Sequence, residues 1–320
     1  MHLAVSLNIA SEPGQSGLDF AGIVDIARQA EAAGVDMLVI SDAASDGRPS
    51  NSPFEATTLV AALATVTERI GLVASASTLM HQPYNLARRF ASLDIISQGR
   101  AGWSATLAQS PREAANFSRP EGFAPDDFRR RAQEFIGIVR GLWQGWDRDA
   151  LLFDKGAGRF HDPGKMHLLD HKGEFFSVRG PLNVARSPQD APLMVMSGLT
   201  PADLDFAAGV ADIMLINAPT PGTAKAAGDD LQRRALAAGR GPGALKVLVD
   251  PGPGTDAVPL DDRFLREGCD GLNLVLRPGL SASKDFAERV LPWLQRRPAG
   301  RSVRSATLRG RLGLGAGGEQ

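Results

Sequence analysis

Short apolar, β-branched runs alternate with segments of helical period along this chain, and that alternation restricts the fold more than any other feature. The runs are Leu3–Ile9, Met37–Ser41, Ile70–Ser75, Ala101–Ala105, Leu193–Ser197, Ile213–Asn217, Leu245–Val249 and Gly271–Leu276. Several are almost uninterrupted apolar stretches, the composition of parallel strands covered on both faces. The helical segments between them are Phe20–Ala33, Glu55–Thr67, Asn85–Ser97, Asp126–Trp146, Ala202–Val210, Thr223–Ala238, Leu260–Glu267 and Lys284–Gln295. Eight strand–helix pairs are what a closed barrel requires, so the expected class is α/β, a (β/α)8 TIM barrel.

Helix punctuation agrees with these boundaries. Ser16 or Asp19 can start the first helix and Gly34 can end it, while Pro83 and Gly99 bracket the third. In the fourth, Phe128, Ala132, Phe135, Val139 and Leu142 recur every three to four residues, which predicts one buried face. Two regions exceed a minimal barrel. Leu151–Pro192 is too long for an ordinary connection, and its alternating apolar residues and turn glycines predict a β-hairpin between helix 4 and strand 5. The tail is basic and Gly-rich and is expected to be loosely held. The expected organisation is a single barrel over 1–298, with the insertion at 151–192 and the tail at 299–320.

A formal net charge of -1 gives no global field toward nucleic acid or an anionic membrane. One cysteine, Cys269, excludes an internal disulfide and fits a reducing, cytoplasmic setting. The opening MHLAVSLNIASEPG reads as a first strand rather than a signal peptide, and no apolar run approaches membrane-spanning length.

Barrel chemistry sits at the C-terminal ends of strands. Those positions carry Asn8, Ser41 and Asp42, Ser75 with Ser77 and Thr78, Ser104 with Thr106, Ser197 and Gly198, Asn217, and Asp250. Any one of these polar residues is better explained as a helix N-cap than by function, since each precedes a helix. Polar groups on nearly every strand end are not. A ring of neutral donors and acceptors suits a large planar ligand better than a metal or a nucleophile. His161, His167 and His171 lie in a Gly/Pro-punctuated segment and read as solvated hairpin histidines, so no metal is expected. Gly313-x-Gly315-x-x-Gly318 has no following helix to hold a pyrophosphate and is set aside. Cys269 reads as a small core residue.

One longer stretch, TERIGLVASASTLMHQPYNLARRFASLDIISQGRAGW from Thr67 to Trp103, is more specific. With VISD at Val39–Asp42, AALATVTERIG at Ala61–Gly71, HLLDHKGEFFSVRGPLNVARSP at His167–Pro188, and the closing TLRGRLGL, it resembles the bacterial-luciferase-like flavin monooxygenases. The branch it resembles contains nitrilotriacetate, dibenzothiophene-sulfone and long-chain alkane monooxygenases, of which this would be a shortened, divergent member. The likeness runs in order through nearly the whole chain.

The resemblance implies that the barrel binds flavin. It implies a monooxygenase in which FMN, delivered as FMNH2 by a separate NAD(P)H:flavin reductase, activates O2 as a flavin C4a-peroxide and oxidises a small organic substrate. Homo-oligomers are common in such families. By position, Asp42 and Ser75 match flavin-contacting residues, and Ser104 stands where the family has an asparagine. A family histidine and tyrosine correspond to Pro125 and Arg129, and the phosphate-binding Gly-Ser-Ser corresponds to Gly198, Leu199 and Thr200 after Ser197. Arg129 fits either a phosphate clamp or a solvated arginine in the run Arg129–Arg131. No catalytic residue is assigned. The alternatives are a degenerate, non-catalytic paralogue that binds flavin weakly or not at all, and an oxidoreductase of the neighbouring branch that uses the deazaflavin F420. Relatives carry a longer insertion between strands 7 and 8, where this chain has PGPGTDAV before the short segment Leu260–Glu267.

Overall fold

Eight parallel strands close on themselves into a barrel. They are β1 (His2–Asn8), β2 (Met37–Ser41), β3 (Gly71–Ser77), β4 (Ala101–Thr106), β9 (Leu193–Ser197), β10 (Ile213–Asn217), β11 (Lys246–Asp250) and β12 (Gly271–Val275). Around the barrel the order is β1-β12-β11-β10-β9-β4-β3-β2. This computed structural model describes residues 1–11, 17–42, 52–107, 109, 114–117, 121–252, 269–296 and 305–315. The (β/α)8 barrel expected from the sequence is therefore the fold. Three strands match their sequence-predicted bounds to the residue, and the others differ by one or two at an end. The expected segment Leu260–Glu267, the shortened connection before it from residue 253 on, Ser16 and Gly318 lie outside the described residues.

The helices are α1 (Phe20–Ala32), α2 (Ala56–Ala64), α3 (Pro83–Ile96), α4 (Pro125–Trp143), α5 (Leu204–Val210), α6 (Pro221–Ala237), α7 (Ser281–Asp285), α8 (Leu291–Gln295) and α9 (Leu308–Arg311). Asp19 caps α1 by accepting from the Gly22 N–H at 2.8 Å. A π turn, Phe286–Val290, links α7 to α8.

Alternation along each strand divides the core in two. Leu38, Ile40, Leu72 and Ala74 point outward and pack under the helices, whereas Met37, Val39, Val73, Leu193, Val195, Ile213, Leu215 and Leu248 fill the barrel. Close approach within the barrel explains Gly102. A Cβ there would lie 2.9 Å from Val73 Cγ2 and 3.2 Å from the Leu193 carbonyl. On the outer side of β4, Trp103 lies within 6.0–6.3 Å, ring to ring, of Phe90, Phe135 and Trp143, and its indole N–H donates to the Ala76 carbonyl at 2.9 Å.

The expectation of a loose tail is corrected over residues 305–315. Thr307 caps α9, and Leu308, Leu312 and Leu314 join the barrel-filling cluster from below. A Cβ on Gly71 would lie 2.5 Å from Leu308 Cδ2, so β3 begins with glycine where the tail presses in. The apolar spacing Leu308, Leu312, Leu314 outweighs the basic composition, because burying each leucine is worth roughly 1.5–3 kcal/mol.

The insertion forms two short antiparallel ladders, β5 (Leu151–Asp154) with β6 (Arg159–His161) and β7 (His171–Lys172) with β8 (Ser177–Val178). Glu134 on α4 ties the second ladder down. Its carboxylate accepts from the Phe175 and Phe176 N–H groups at 3.0 and 2.9 Å and meets His171 Nε2 at 2.9 Å.

Candidate active site

Asp42 follows β2 and is held from two sides. Its Oδ2 accepts from the Ala56 N–H, the first residue of α2, at 2.9 Å, and its Oδ1 accepts from the Ser75 hydroxyl at 3.3 Å. Burial raises the carboxyl pKa; the Ala56 N–H works against that rise and the nearby Glu55 charge adds to it.

Ser75 and Ser104 are opposite each other in the β3–β4 register. Each lies two residues beyond a barrel-filling position, Val73 or Gly102, so both face the lumen, and both are buried, at 8% and 7% exposure. Ser75 is engaged with Asp42, while the Ser104 hydroxyl has no hydrogen-bond partner among the described residues. A buried donor–acceptor left open at a barrel mouth is a fitting contact for a heterocyclic ligand.

The next strand in the barrel is β9, whose Val195 is opposite Ser104. It ends at Ser197, and Gly198 follows at φ +64, a left-handed turn that glycine makes without a steric penalty. Leu199 packs part-buried against the core. The backbone N–H and hydroxyl of Thr200 both donate to Asp203.

Arg129 reaches the same aspartate. Its Nε donates to Asp203 Oδ1 at 2.9 Å and its Nη1 to Asp126 Oδ1 at 2.7 Å. Arg129 is thus ion-paired rather than freely solvated, and Asp203 joins it to the loop containing Thr200. Asp203 is buried, which raises its pKa, but the Thr200 hydroxyl and Arg129 outweigh this and hold it below the usual range. Because β2, β3, β4 and β9 are consecutive neighbours, seven of the eight expected residues follow one arc of strand ends, and Arg129 joins them from α4 through Asp203.

Arg131 was not singled out from the sequence. It is buried, donates from Nη1 to the Thr78 carbonyl at 2.7 Å, and lies 4.7 Å from the Phe176 ring and 5.3 Å from the Phe123 ring. Its position three residues after Phe128, on the buried face of α4, was the available signal. Beside it an open cleft of about 570 Å³ runs past Leu79, His81, Gln82, Phe117 and Phe123. The insertion histidines have separate partners: His167 meets Asp147 at 3.0 Å, His171 meets Glu134, and His161 packs on Trp146.

The family model for luciferase-like monooxygenases matches residues 1–253. N-acetyl-S-(2-succino)cysteine monooxygenase of Bacillus subtilis (strain 168) is 37% identical over 255 residues, 78% of this chain and 57% of that protein. One of the pristinamycin IIA synthase subunits of Streptomyces pristinaespiralis is 38% identical over 289 residues, 90% of this chain and 86% of that protein. Dibenzothiophene-sulfone, nitrilotriacetate and long-chain alkane monooxygenases, the branch indicated by the residues, are also among its relatives. The chain spans about half the length of the curated relatives it first matches, with 57% and 43% of the first two covered. In fold, it superposes on a riboflavin lyase crystal structure with modified FMN and riboflavin at a TM-score of 0.80, with 23% identity and 99% and 96% of the two chains covered. From the family match over residues 1–253 and the relatives along its length, the chain belongs to the luciferase-like monooxygenase family.

Proposed function

We propose that this protein is a flavin-dependent monooxygenase that uses reduced FMN and O2 on a small organic substrate and receives its flavin from a separate NAD(P)H:flavin reductase. The observation that carries this reading is the open, buried Ser104 hydroxyl beside the Asp42–Ser75 pair, within a luciferase-like monooxygenase barrel. When bound, reduced FMN supplies the two electrons with which one atom of O2 enters the substrate and the other leaves as water.

The residues divide the work of binding. Asp42, with Ser75 and Ser104, orients the polar edge of the ring system; Ser197, Gly198, Leu199 and Thr200 line the phosphate end. Arg129 reaches the phosphate by exchanging one carboxylate. Asp126, whose side chain is 82% exposed, is the one displaced, because such a pair is worth only about 0–1 kcal/mol. Asp203, at 10% exposure, stays in place. The cleft beside Arg131 receives the substrate, and the anchored ladder β7–β8 keeps water from the reacting centre.

The flavin-binding unit proposed is the single barrel of 1–298 with its insertion at 151–192, and the cytoplasm is its proposed setting, supported by the lone Cys269. Among the described residues no helix is long and apolar enough to cross a membrane. The two acids on Arg129 favour a second reading, a paralogue that binds flavin weakly and serves as a non-catalytic subunit. The likeness to a protein that is itself one subunit of a synthase also supports that reading.

Fluorescence titration with FMN, FMNH2 and F420 under nitrogen, followed by admission of O2, decides between them. The monooxygenase reading expects saturable FMNH2 binding and oxygen-dependent substrate oxidation. No binding to any of the three would leave the non-catalytic reading, and binding of F420 alone would move the protein to the deazaflavin branch.

A further inference from the structure

Far from the barrel mouth, the start of β10 holds a second concentration of charge. Asp212 accepts from Arg309 Nη1 at 2.9 Å, from Arg309 Nη2 at 2.6 Å and from the Met194 N–H at 2.8 Å. The end-on pairing uses both terminal nitrogens of Arg309, whose side chain is 5% exposed, and leaves its buried Nε–H without an acceptor.

Two further guanidinium groups approach the same carboxylate. Arg140, in the last turn of α4, has Asp212 as its charged partner and Arg309 as its repelling neighbour; burial lowers its pKa. It makes no hydrogen bond or ion pair with any described residue. Arg240 spends its terminal nitrogens on the carbonyls of Ala208, Ala211 and Ala244, and its own Nε is buried without a partner. Three positive groups therefore share one carboxylate. Of the next carboxylates toward Arg309, Asp94 is bound only by neutral groups, Gln189 among them, and offsets one of these charges, whereas Asp190 is itself paired with Arg148 and Arg186, so a positive excess remains.

Between Arg140, Arg309 and Asp212 lies a small, partly open cavity of about 20 Å³, lined also by Gln144 and by apolar groups that include Trp143, Met194 and Val210. That volume holds one water-sized species. Water would satisfy the Arg309 N–H and leave the positive charge uncompensated; a monatomic anion satisfies both.

We propose that this cavity is a binding site for a single halide-class anion, chloride in the cell, held between Arg309 Nε–H and the Arg140 guanidinium. Arg309 belongs to α9 and Arg140 to α4, so the anion fastens the C-terminal segment to the barrel wall. It acts on the assembly of the fold and is independent of any flavin.

The test uses crystals of the full chain soaked in bromide, with data collected at the bromine absorption edge. An anomalous peak in contact with Arg309 Nε and Arg140 is expected, and it should be lost in Arg140→Met. At fixed ionic strength, replacing gluconate by chloride should raise the Tm saturably by roughly 2–4 °C in the native protein and not in the variant. Arg140→Lys, which keeps the charge, should retain the peak. Density for water alone in the native crystals overturns the proposal even if the Met variant fails to fold, and so does a chloride effect of equal size in both proteins.

Discussion

Asp42 and Ser75 meet at 3.3 Å across neighbouring strands, and the same carboxylate receives the first N–H of α2. The pair therefore has two duties, presenting a polar edge at the barrel mouth and fixing the start of a helix.

Removing the carboxylate separates the two. Asp42→Ala is expected to weaken flavin binding by about tenfold or more, the equivalent of one charge-assisted hydrogen bond. It should also cost about 1 kcal/mol of stability through the freed α2 N–H. Fluorescence titration beside a urea melt checks both; unchanged affinity would remove Asp42 from the flavin site.

The tail offers a larger effect. Arg309→Met leaves Asp212 buried at 8% exposure with no bidentate partner, and breaking such a pair costs about 3–5 kcal/mol. Leu308→Ala, which empties part of the barrel floor, is expected to cost roughly 2–5 kcal/mol. Both should lower the urea midpoint while leaving the amplitude of the far-UV signal intact.

Glu31 supplies a prediction in pH. Burial raises its pKa, but the N–H groups of Glu68, Arg69 and Ile70 outweigh that, and the carboxyl lies below its usual 4.5. A depressed folded pKa means stability that is present above the unfolded value and lost as pH falls through the folded one. Glu31→Gln should therefore cost about 1 kcal/mol at neutral pH, allowing for partial solvent screening. The difference from the native protein should close as the solution is acidified below pH 4.5, as followed by urea titrations at several pH values.

The ladder over the barrel can be loosened at one point. Glu134→Ala removes the acceptor for Phe175, Phe176 and His171 together. Limited proteolysis should then cut within 171–178 faster. If the proposed activity holds, a larger share of the reducing equivalents should appear as hydrogen peroxide instead of oxidised substrate.

Which of these features the sequence made legible follows from the range of the interactions. Strand and helix positions come from local periodicity, and Met37–Ser41 and Ile213–Asn217 could be read to the residue. The arc of Asp42, Ser75, Ser104 and Thr200 followed from family likeness together with the rule that barrel sites gather at strand ends. Arg129's two acids did not, because Asp203 lies 74 positions away and its carboxylate is aimed by a cap on Thr200. The floor was hidden for a similar reason. Composition made residues 305–315 look unstructured, and only the shape of the barrel's lower end tells Leu308 where to go.

That floor also sets an order of events during synthesis. β1 finds its second neighbour only when β12 has been made, and the underside of Val73 stays uncovered until Leu308 arrives. Through most of translation the nascent chain exposes an open sheet edge and a greasy opening, a situation that favours chaperone capture. A truncation just before residue 305 keeps β12 and so closes the sheet edge, but it leaves the greasy opening uncovered, giving a protein with most of its helices and strands and a standing tendency to aggregate.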